Sequence, residues 1–224
     1  MTLRALSMLE ARVLGVLVEK AHTVPDSYPL SLNALVAGCN QKTAREPVIS
    51  ATDAEVQAAA DALRGLSCAF ESSGSRVARY EHNMGRALGL PSQSVAVLAT
   101  LMLRGPQTSA ELRANSERLH RFADVSSVDA FLDELANRSA EKGGPLVLKL
   151  PRAPGAREAR WAHLLCGAVD VAALGVPAES DDFVATSEVA ALKAQQAVLQ
   201  RELGELRALV DRLYAELGVS KGPT

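Results

Sequence analysis

Apolar residues recur at intervals of three and four in six segments of the chain, and each segment predicts a helix with one buried face. The first three helices have Ser7, Ser31 and either Thr52 or Asp53 as their expected N-caps. Glu10 follows Ser7 by three positions and would complete a capping box there. Short runs of alternating apolar and polar residues around a Gly- and Ser-rich turn come next, and they predict a two-stranded β-ribbon.

The same order of elements follows a second time, with Ser109 as the expected N-cap of the middle helix. Residues 74–82 return 81 positions later as residues 155–163, with Gly, Arg, Ala, Arg, an aromatic residue and His in the same order. A repeat of this length indicates two copies of one small domain. Three helices followed by a β-ribbon are the plan of a winged helix, in which the ribbon is the wing.

Two pairs of residues occupy equivalent positions in the ribbons. Tyr80 and Trp161 are expected to close the core beneath each ribbon, and the alternative is a stacking surface for bases. His82 and His163 also match, which predicts a structural role in which each histidine makes the same hydrogen bond at the end of its strand.

The predicted fold class is therefore mainly α with small β-wings. A first winged-helix domain is expected at residues 1–87 and a second at residues 88–166, followed by a linker at 167–185 and a C-terminal coiled-coil helix at 186–218. A domain of about 80 residues buries only a small core. We therefore expect the two copies to pack against each other.

The coiled-coil helix is predicted from a heptad pattern with apolar residues spaced alternately three and four apart. In a parallel pair, Glu188 of one chain would face Lys193 of the other, which favours a parallel homodimer. The alternative is a single amphipathic helix that folds back onto its own domains. The predicted dimer interface consists of Val189, Leu192, Gln196, Leu199, Leu203, Leu206, Val210, Leu213 and Leu217.

Composition limits the possible partners. The chain has 24 basic and 26 acidic side chains, so no overall field attracts nucleic acid or an anionic membrane. The second copy is slightly basic, with 10 Lys and Arg against 8 Asp and Glu at residues 89–166. Three cysteines without metal or disulfide spacing favour free thiols in a reducing cytoplasm. The N-terminus lacks a signal-peptide core and no apolar run reaches the roughly 20 residues of a membrane span, so we expect a soluble cytoplasmic protein.

Basic residues are placed unusually for a winged helix. The third helices, which normally enter the major groove, carry exposed carboxylates that would repel phosphates. Arginines lie on the wings instead, where they could enter a minor groove or contact phosphates. The alternative is a solvated strand edge protected by charge. The candidate DNA-binding residues are Lys42, Arg45, Arg76, Arg79, Arg152, Arg157 and Arg160.

The segment Tyr28–Val48 resembles the YceH family, a group of bacterial proteins of uncharacterised function. Leu9–Gly15, Gly74–Val77 and Arg104–Arg113 match other parts of the same pattern, so the resemblance covers about residues 6–165. It implies tandem winged-helix domains and supplies no substrate or catalytic residues. The polar centre of the segment is either a ligand or partner surface, or a loop that satisfies buried backbone groups; it comprises Asn40, Gln41, Lys42, Arg45 and Glu46.

No catalytic, cofactor-binding or metal-binding signature is found, so we expect a protein that is not an enzyme. The leading hypothesis is a dimeric DNA-associated protein or transcriptional regulator that uses its Arg-bearing wings. The alternative is a protein–protein interaction module or scaffold without direct DNA contact.

Overall fold

The computed structural model describes residues 3–72, 77–153 and 155–169. These residues are mainly helical with small antiparallel sheets, as predicted. The α-helices are α1 (Met8–Thr23), α2 (Leu32–Cys39), α3 (Asp53–Gly65), α4 (Met84–Leu88), α5 (Ser92–Arg104), α6 (Ser109–Asn115) and α7 (Val125–Ala136). The strands are β1 (Leu30–Ser31), β2 (Ala69–Ser72), β3 (Arg79–His82), β4 (Val147–Lys149) and β5 (Trp161–His163). None of the described helices is both long and apolar enough to span a membrane.

The predicted coiled-coil helix lies outside the described residues, together with all nine residues of its expected dimer interface and most of the predicted linker. Arg76 of the first ribbon also lies outside them. These parts of the predicted architecture stay predictions.

Local capping fixes where the helices begin. Ser7 and Glu10 form the predicted capping box at the start of α1. Of the two candidates for α3, Thr52 is the N-cap, and it forms a capping box with Glu55 that was not predicted. The prediction for α6 is wrong by one residue, because Thr108 is its N-cap and forms the capping box with Glu111.

Ser109 does not cap α6. Its hydroxyl donates a hydrogen bond to the carboxylate of Asp129 on α7, so it links two helices. Thr108 instead accepts a hydrogen bond from the backbone N–H of Glu111 at 3.2 Å.

The two ribbons are built alike. In the first, β3 lies between β1 and β2, and Leu30 of β1 is paired with Tyr80 of β3. In the second, β4 pairs with β5, and an isolated bridge joins Gln107 to Trp161 in the place that Leu30 and Tyr80 occupy in the first. Tyr80 is 1% exposed and Trp161 3% exposed, so both aromatic rings close the core beneath their ribbons.

The core is shared between the halves of the described chain. One hydrophobic cluster includes buried residues from α1, α2 and α3 as well as from α5, α6 and α7. The centre of α1 is buried without interruption from Glu10 to Val18, and α5 from Ser94 to Leu103. A helix that is buried on all sides belongs in the middle of a core. α1 and α5 meet at Gly15, where a Cβ atom would lie 3.0 Å from Cγ of Leu103. The expected packing of the copies against each other is thus observed.

Candidate nucleic-acid interface

Four exposed cationic side chains and one exposed carboxylate, Glu158, lie on the second ribbon, formed by β4, β5 and the connection between them. Arg152, Arg157 and Arg160 are all exposed, as is Lys149 at the end of β4. Arg160 forms a partly solvated ion pair with Glu111, at 3.5 Å. Arg152 and Arg157 form no ion pair with any described residue. The ribbon therefore presents positive charge to solvent.

Lys149 was not among the candidate residues. It is paired with Trp161 across the ribbon, and its Nζ lies 5.3 Å from the centroid of the indole ring. Such a cation–π contact holds the ammonium group over the ribbon while leaving it hydrated. Apolar–polar alternation does not reveal this residue, because Leu148 beside it on the strand is exposed as well.

The first ribbon differs from the second. Arg79 is exposed, but one of its guanidinium nitrogens donates to the backbone oxygen of Pro29 at 2.9 Å. Glu71 of β2 forms an ion pair with Arg64 of α3 at 2.6 Å, and Phe70 next to it is exposed. The repeat therefore conserves backbone geometry without giving both ribbons the same surface charge.

The polar loop (residues 40–50) is held by internal hydrogen bonds. The side-chain amide of Asn40 donates to the backbone oxygen of Ala51 and accepts from its N–H, both at 2.8 Å. Gln41 donates to the backbone oxygen of Thr43 at 3.0 Å. The N–H of Glu46 donates to the carbonyl of Leu103 on α5 at 2.8 Å, which ties this loop to the second half.

Arg45 is buried at the base of the polar loop. Its two terminal nitrogens bind the carboxylate of Glu19 at 3.1 and 2.5 Å, and its Nε donates to the backbone oxygen of Gly38 at 3.1 Å. Burial alone would raise the pKa of Glu19, but the hydrogen bonds and charge of Arg45 lower it below its usual value. Because the guanidinium is fully enclosed, Arg45 is not placed to contact a phosphate. Lys42 on the same loop is exposed.

The outer faces of the third helices are acidic, as the sequence suggested. Asp53, Glu55 and Asp61 of α3 are exposed, as are Asp133 and Glu134 of α7. Carboxylates on these faces repel a phosphate backbone, so the electrostatics disfavour docking through α3 or α7.

A polar cavity of about 320 Å³ lies beside the second ribbon. Arg45, Arg104 and Arg160 line it together with Glu46 and Glu111. Sequence reasoning missed Arg104 because the residue ends the apolar helix α5 and has no counterpart in the repeat segment.

The two equivalent histidines do not make the hydrogen bond that was expected of them. Nδ1 of His82 and Nδ1 of His163 are buried and have no hydrogen-bond partner among the described residues. Burial lowers the pKa of His163 to about 4. Burial, with a smaller contribution from the charge of His22, also lowers the pKa of His82. Both imidazoles are therefore neutral at pH 7.

Comparison with known proteins identifies relatives over nearly the whole length. A family model described as a protein of unknown function, DUF480, matches residues 6–156. The chain is 63% identical over 223 residues to a UPF0502 protein of Leptothrix cholodnii, and these residues cover 98% of this chain and 99% of the relative. It is 63% identical over 222 residues to a UPF0502 protein of Burkholderia pseudomallei, with 98% and 92% covered. A UPF0502 protein of Paraburkholderia phytofirmans is 61% identical over 221 residues, with 99% and 93% covered. These matches confirm the resemblance to an uncharacterised bacterial family, and the relatives share most of the C-terminal segment.

Proposed function

The chain belongs to the DUF480 family, and we propose that it is a non-enzymatic, tandem winged-helix protein that associates with duplex DNA as a dimeric regulator. The recurrence of three helices and a β-ribbon, with Tyr80 and Trp161 buried at equivalent positions, supports the winged-helix assignment. A cytoplasmic location fits the three free cysteines Cys39, Cys68 and Cys166.

The observation that carries the proposal is the contrast between the second ribbon and the third helices. Four exposed cations lie on the ribbon and its connection, whereas the outer faces of α3 and α7 are acidic. Electrostatics therefore favours an approach in which the second ribbon contacts phosphates or a minor groove. Such contacts position a protein on DNA without reading its sequence. The first ribbon is expected to contribute less to DNA binding, because its exposed Arg79 is hydrogen-bonded to Pro29 and its strand β2 carries the carboxylate of Glu71.

The salt dependence of binding tests this proposal. Each neutralised phosphate contributes about −0.9 to the slope of log K against log salt, so the four cations of each protomer bound to DNA contribute roughly −3 to −4 to that slope. Replacing Arg152 and Arg157 by Ala is expected to reduce the magnitude of the slope by about 2 per bound protomer and to weaken binding to all duplex sequences alike. Fluorescence anisotropy with a labelled duplex at low and moderate salt measures both quantities.

A charge-matched control separates ribbon contacts from a general loss of positive charge. Arg64→Ala with Arg86→Ala also removes two exposed arginines, but from α3 and α4. The control should bind nearly as well as the unmodified protein. Absence of duplex binding at low salt, or equal losses in both double variants, would contradict the proposed interface.

Dimerisation through the C-terminal helix is part of the proposal and is supported by the heptad pattern alone. The double substitution Val189→Asp and Leu206→Asp should halve the mass measured by sedimentation equilibrium and leave the helical content of the remaining chain intact. An unchanged mass would refute this mode of dimerisation.

The second candidate function is a protein-binding module without DNA contact. It is favoured by large apolar side chains that are exposed, including Phe70 on the first ribbon and Val48 on the polar loop. The test is binding to a purified partner protein. If this binding survives nuclease treatment and the substitutions of Arg152 and Arg157, but is lost in Phe70→Ser, the second function is favoured over the first.

A further inference from the structure

An apolar cavity of about 270 Å³ lies between α1, the polar loop, α5 and the end of β5. Its walls are mainly apolar and include Met8 of α1, Ile49 of the polar loop and Met102 of α5. Two polar side chains from opposite halves of the chain, Arg12 and His163, also line it. Apolar walls with a few convergent polar groups are the usual features of small-molecule sites.

Arg12 supplies a buried positive charge to this cavity. The residue is 3% exposed and forms no ion pair with any carboxylate among the described residues. One terminal nitrogen donates to the backbone oxygen of Cys39 at 3.2 Å and the other to that of Pro47 at 2.6 Å. A guanidinium has five N–H donors, so three remain beyond these two bonds, including that of Nε, which has no partner. Buried charges in proteins are normally paired, and an anion is the partner that Arg12 lacks.

Arg12 is joined to a second residue of the cavity lining. Pro47, whose carbonyl accepts from Arg12, also lines the cavity. Arg45, the cation whose charge acts on Arg12, already binds Glu19. Burial, followed by repulsion from Arg45, lowers the pKa of Arg12. Electrostatic attraction to an anion in the cavity would raise this pKa and so offset both effects.

His163 adds a neutral polar contact on the other side. Its Nδ1 is buried and has no partner among the described residues, and the imidazole can donate or accept a hydrogen bond there. Glu55, also on the lining, is exposed and already accepts hydrogen bonds from the backbone and hydroxyl of Thr52. Solvent screening weakens the repulsion of its carboxylate for an anion.

From this arrangement we infer that the cavity binds a small monocarboxylate with an apolar body, whose carboxylate pairs with Arg12 and hydrogen-bonds His163. Arginine suits this role because its planar fork matches the two oxygens of a carboxylate. A cavity of about 150 Å³ holds benzene, so this larger one accommodates a single ring or a short acyl chain with its carboxylate. A ligand with about ten non-hydrogen atoms is expected to bind with a Kd of about 0.1–1 mM.

Methionine methyl resonances report directly on this cavity. Met8 and Met102 line it, whereas Met84 on α4 is buried elsewhere and serves as an internal control. The full-length protein, labelled with ¹³C in its methionine methyl groups, is titrated with benzoate and with hexanoate. Saturable shifts of the Met8 and Met102 signals, with Met84 unmoved, are expected. Benzamide, which has the same ring but no charge, should bind at least fivefold more weakly.

Two variants test whether binding depends on the guanidinium of Arg12 and on the free volume of the cavity. Arg12→Lys keeps a cation but loses the fork, and we expect benzoate to bind about tenfold more weakly. Ser50→Phe places a ring at an exposed lining position and should block binding while Arg12 stays in place. Ser72→Phe, at an exposed position on β2 away from the lining, is the matched control and should bind benzoate normally.

The outcomes distinguish the alternatives. No saturable shift of Met8 or Met102 with either carboxylate at about ten times the expected Kd overturns the inference. Equal binding of benzamide refutes the carboxylate assignment, and equal binding to Ser50→Phe refutes the location. If Arg12→Lys does not fold, the comparison of Ser50→Phe with Ser72→Phe and of benzoate with benzamide still decides the question.

Discussion

Gly38 of α2 is a position where a single methyl group should destabilise the protein. A Cβ atom built there would lie 2.6 Å from Cγ1 of Val16, a fully buried residue of α1. Carbon atoms in favourable contact are about 3.5–4.0 Å apart, so the overlap is about 1 Å. A β-branched valine in a helix has one strongly preferred rotamer and cannot easily turn away. The helices must therefore separate.

The magnitude follows from two opposing effects. Overpacking a core costs about 1–3 kcal/mol, whereas replacing Gly by Ala in a helix gains at most about 1 kcal/mol. We expect Gly38→Ala to lower the free energy of unfolding by about 1–2 kcal/mol. Gly65→Ala is the matched control, because no atom lies within 4 Å of its added Cβ. That substitution should stabilise the protein by about 0.4–1 kcal/mol.

Urea denaturation can measure both changes. Trp161 is the single tryptophan and is buried, so its fluorescence follows unfolding of the core, and circular dichroism follows the helices. The two probes should give coincident transitions, and the midpoint should move without a change in slope. A Gly38→Ala protein at least as stable as the unmodified one would refute the packing argument.

Three further predictions concern polar side chains, two of them buried. Because burial lowers the pKa of His163 from 6.5 to about 4, protonation favours the unfolded state, and at most about 3 kcal/mol of stability is lost as pH falls from 6.5 to 4. In His163→Gln, denaturation curves should show a smaller loss than in the unmodified protein, and equal losses would contradict the shift. Arg45→Ala removes the buried partner of Glu19 and leaves its carboxylate only the partly exposed Lys20, at 3.3 Å, so it should cost about 3 kcal/mol, part of which Glu19→Gln restores in the same background; full stability of the single variant in urea would count against the buried pair. Thr108→Ala should lower the melting temperature through loss of about 1 kcal/mol, and full retention of stability would show that its cap contributes little.

The success of the sequence predictions depends on how far apart the interacting residues are. The capping box of α1 was predicted correctly, and Thr52 was one of the two candidates for the cap of α3, because each signal lies within four residues. Ser109 was mistaken for a cap because both it and Thr108 carry hydroxyls. The contact that decides between them joins Ser109 to a residue 20 positions later. α4 was missed because its five residues include a glycine and give no recognisable period.

The same distinction applies to the candidate interface. Exposure of Arg152, Arg157 and Arg160 could be predicted, because cations beside turns are usually solvated. Burial of Arg45 could not be predicted, since its partner Glu19 lies 26 residues earlier, on α1. The apolar cavity was also invisible in the sequence, because Arg12 and His163 come together only when the first and last described elements pack.

The joined core has a consequence for how this architecture can change. Because α1 and α5 bury one another, deleting either half would expose the buried apolar residues of the remaining helix to water. We therefore expect that neither half is stable as an excised fragment, and that protease cuts between them yield insoluble pieces instead of two stable halves. Substitutions at the contact between α1 and α5 are constrained by both halves at once, whereas exposed positions on the two ribbons are free of that constraint.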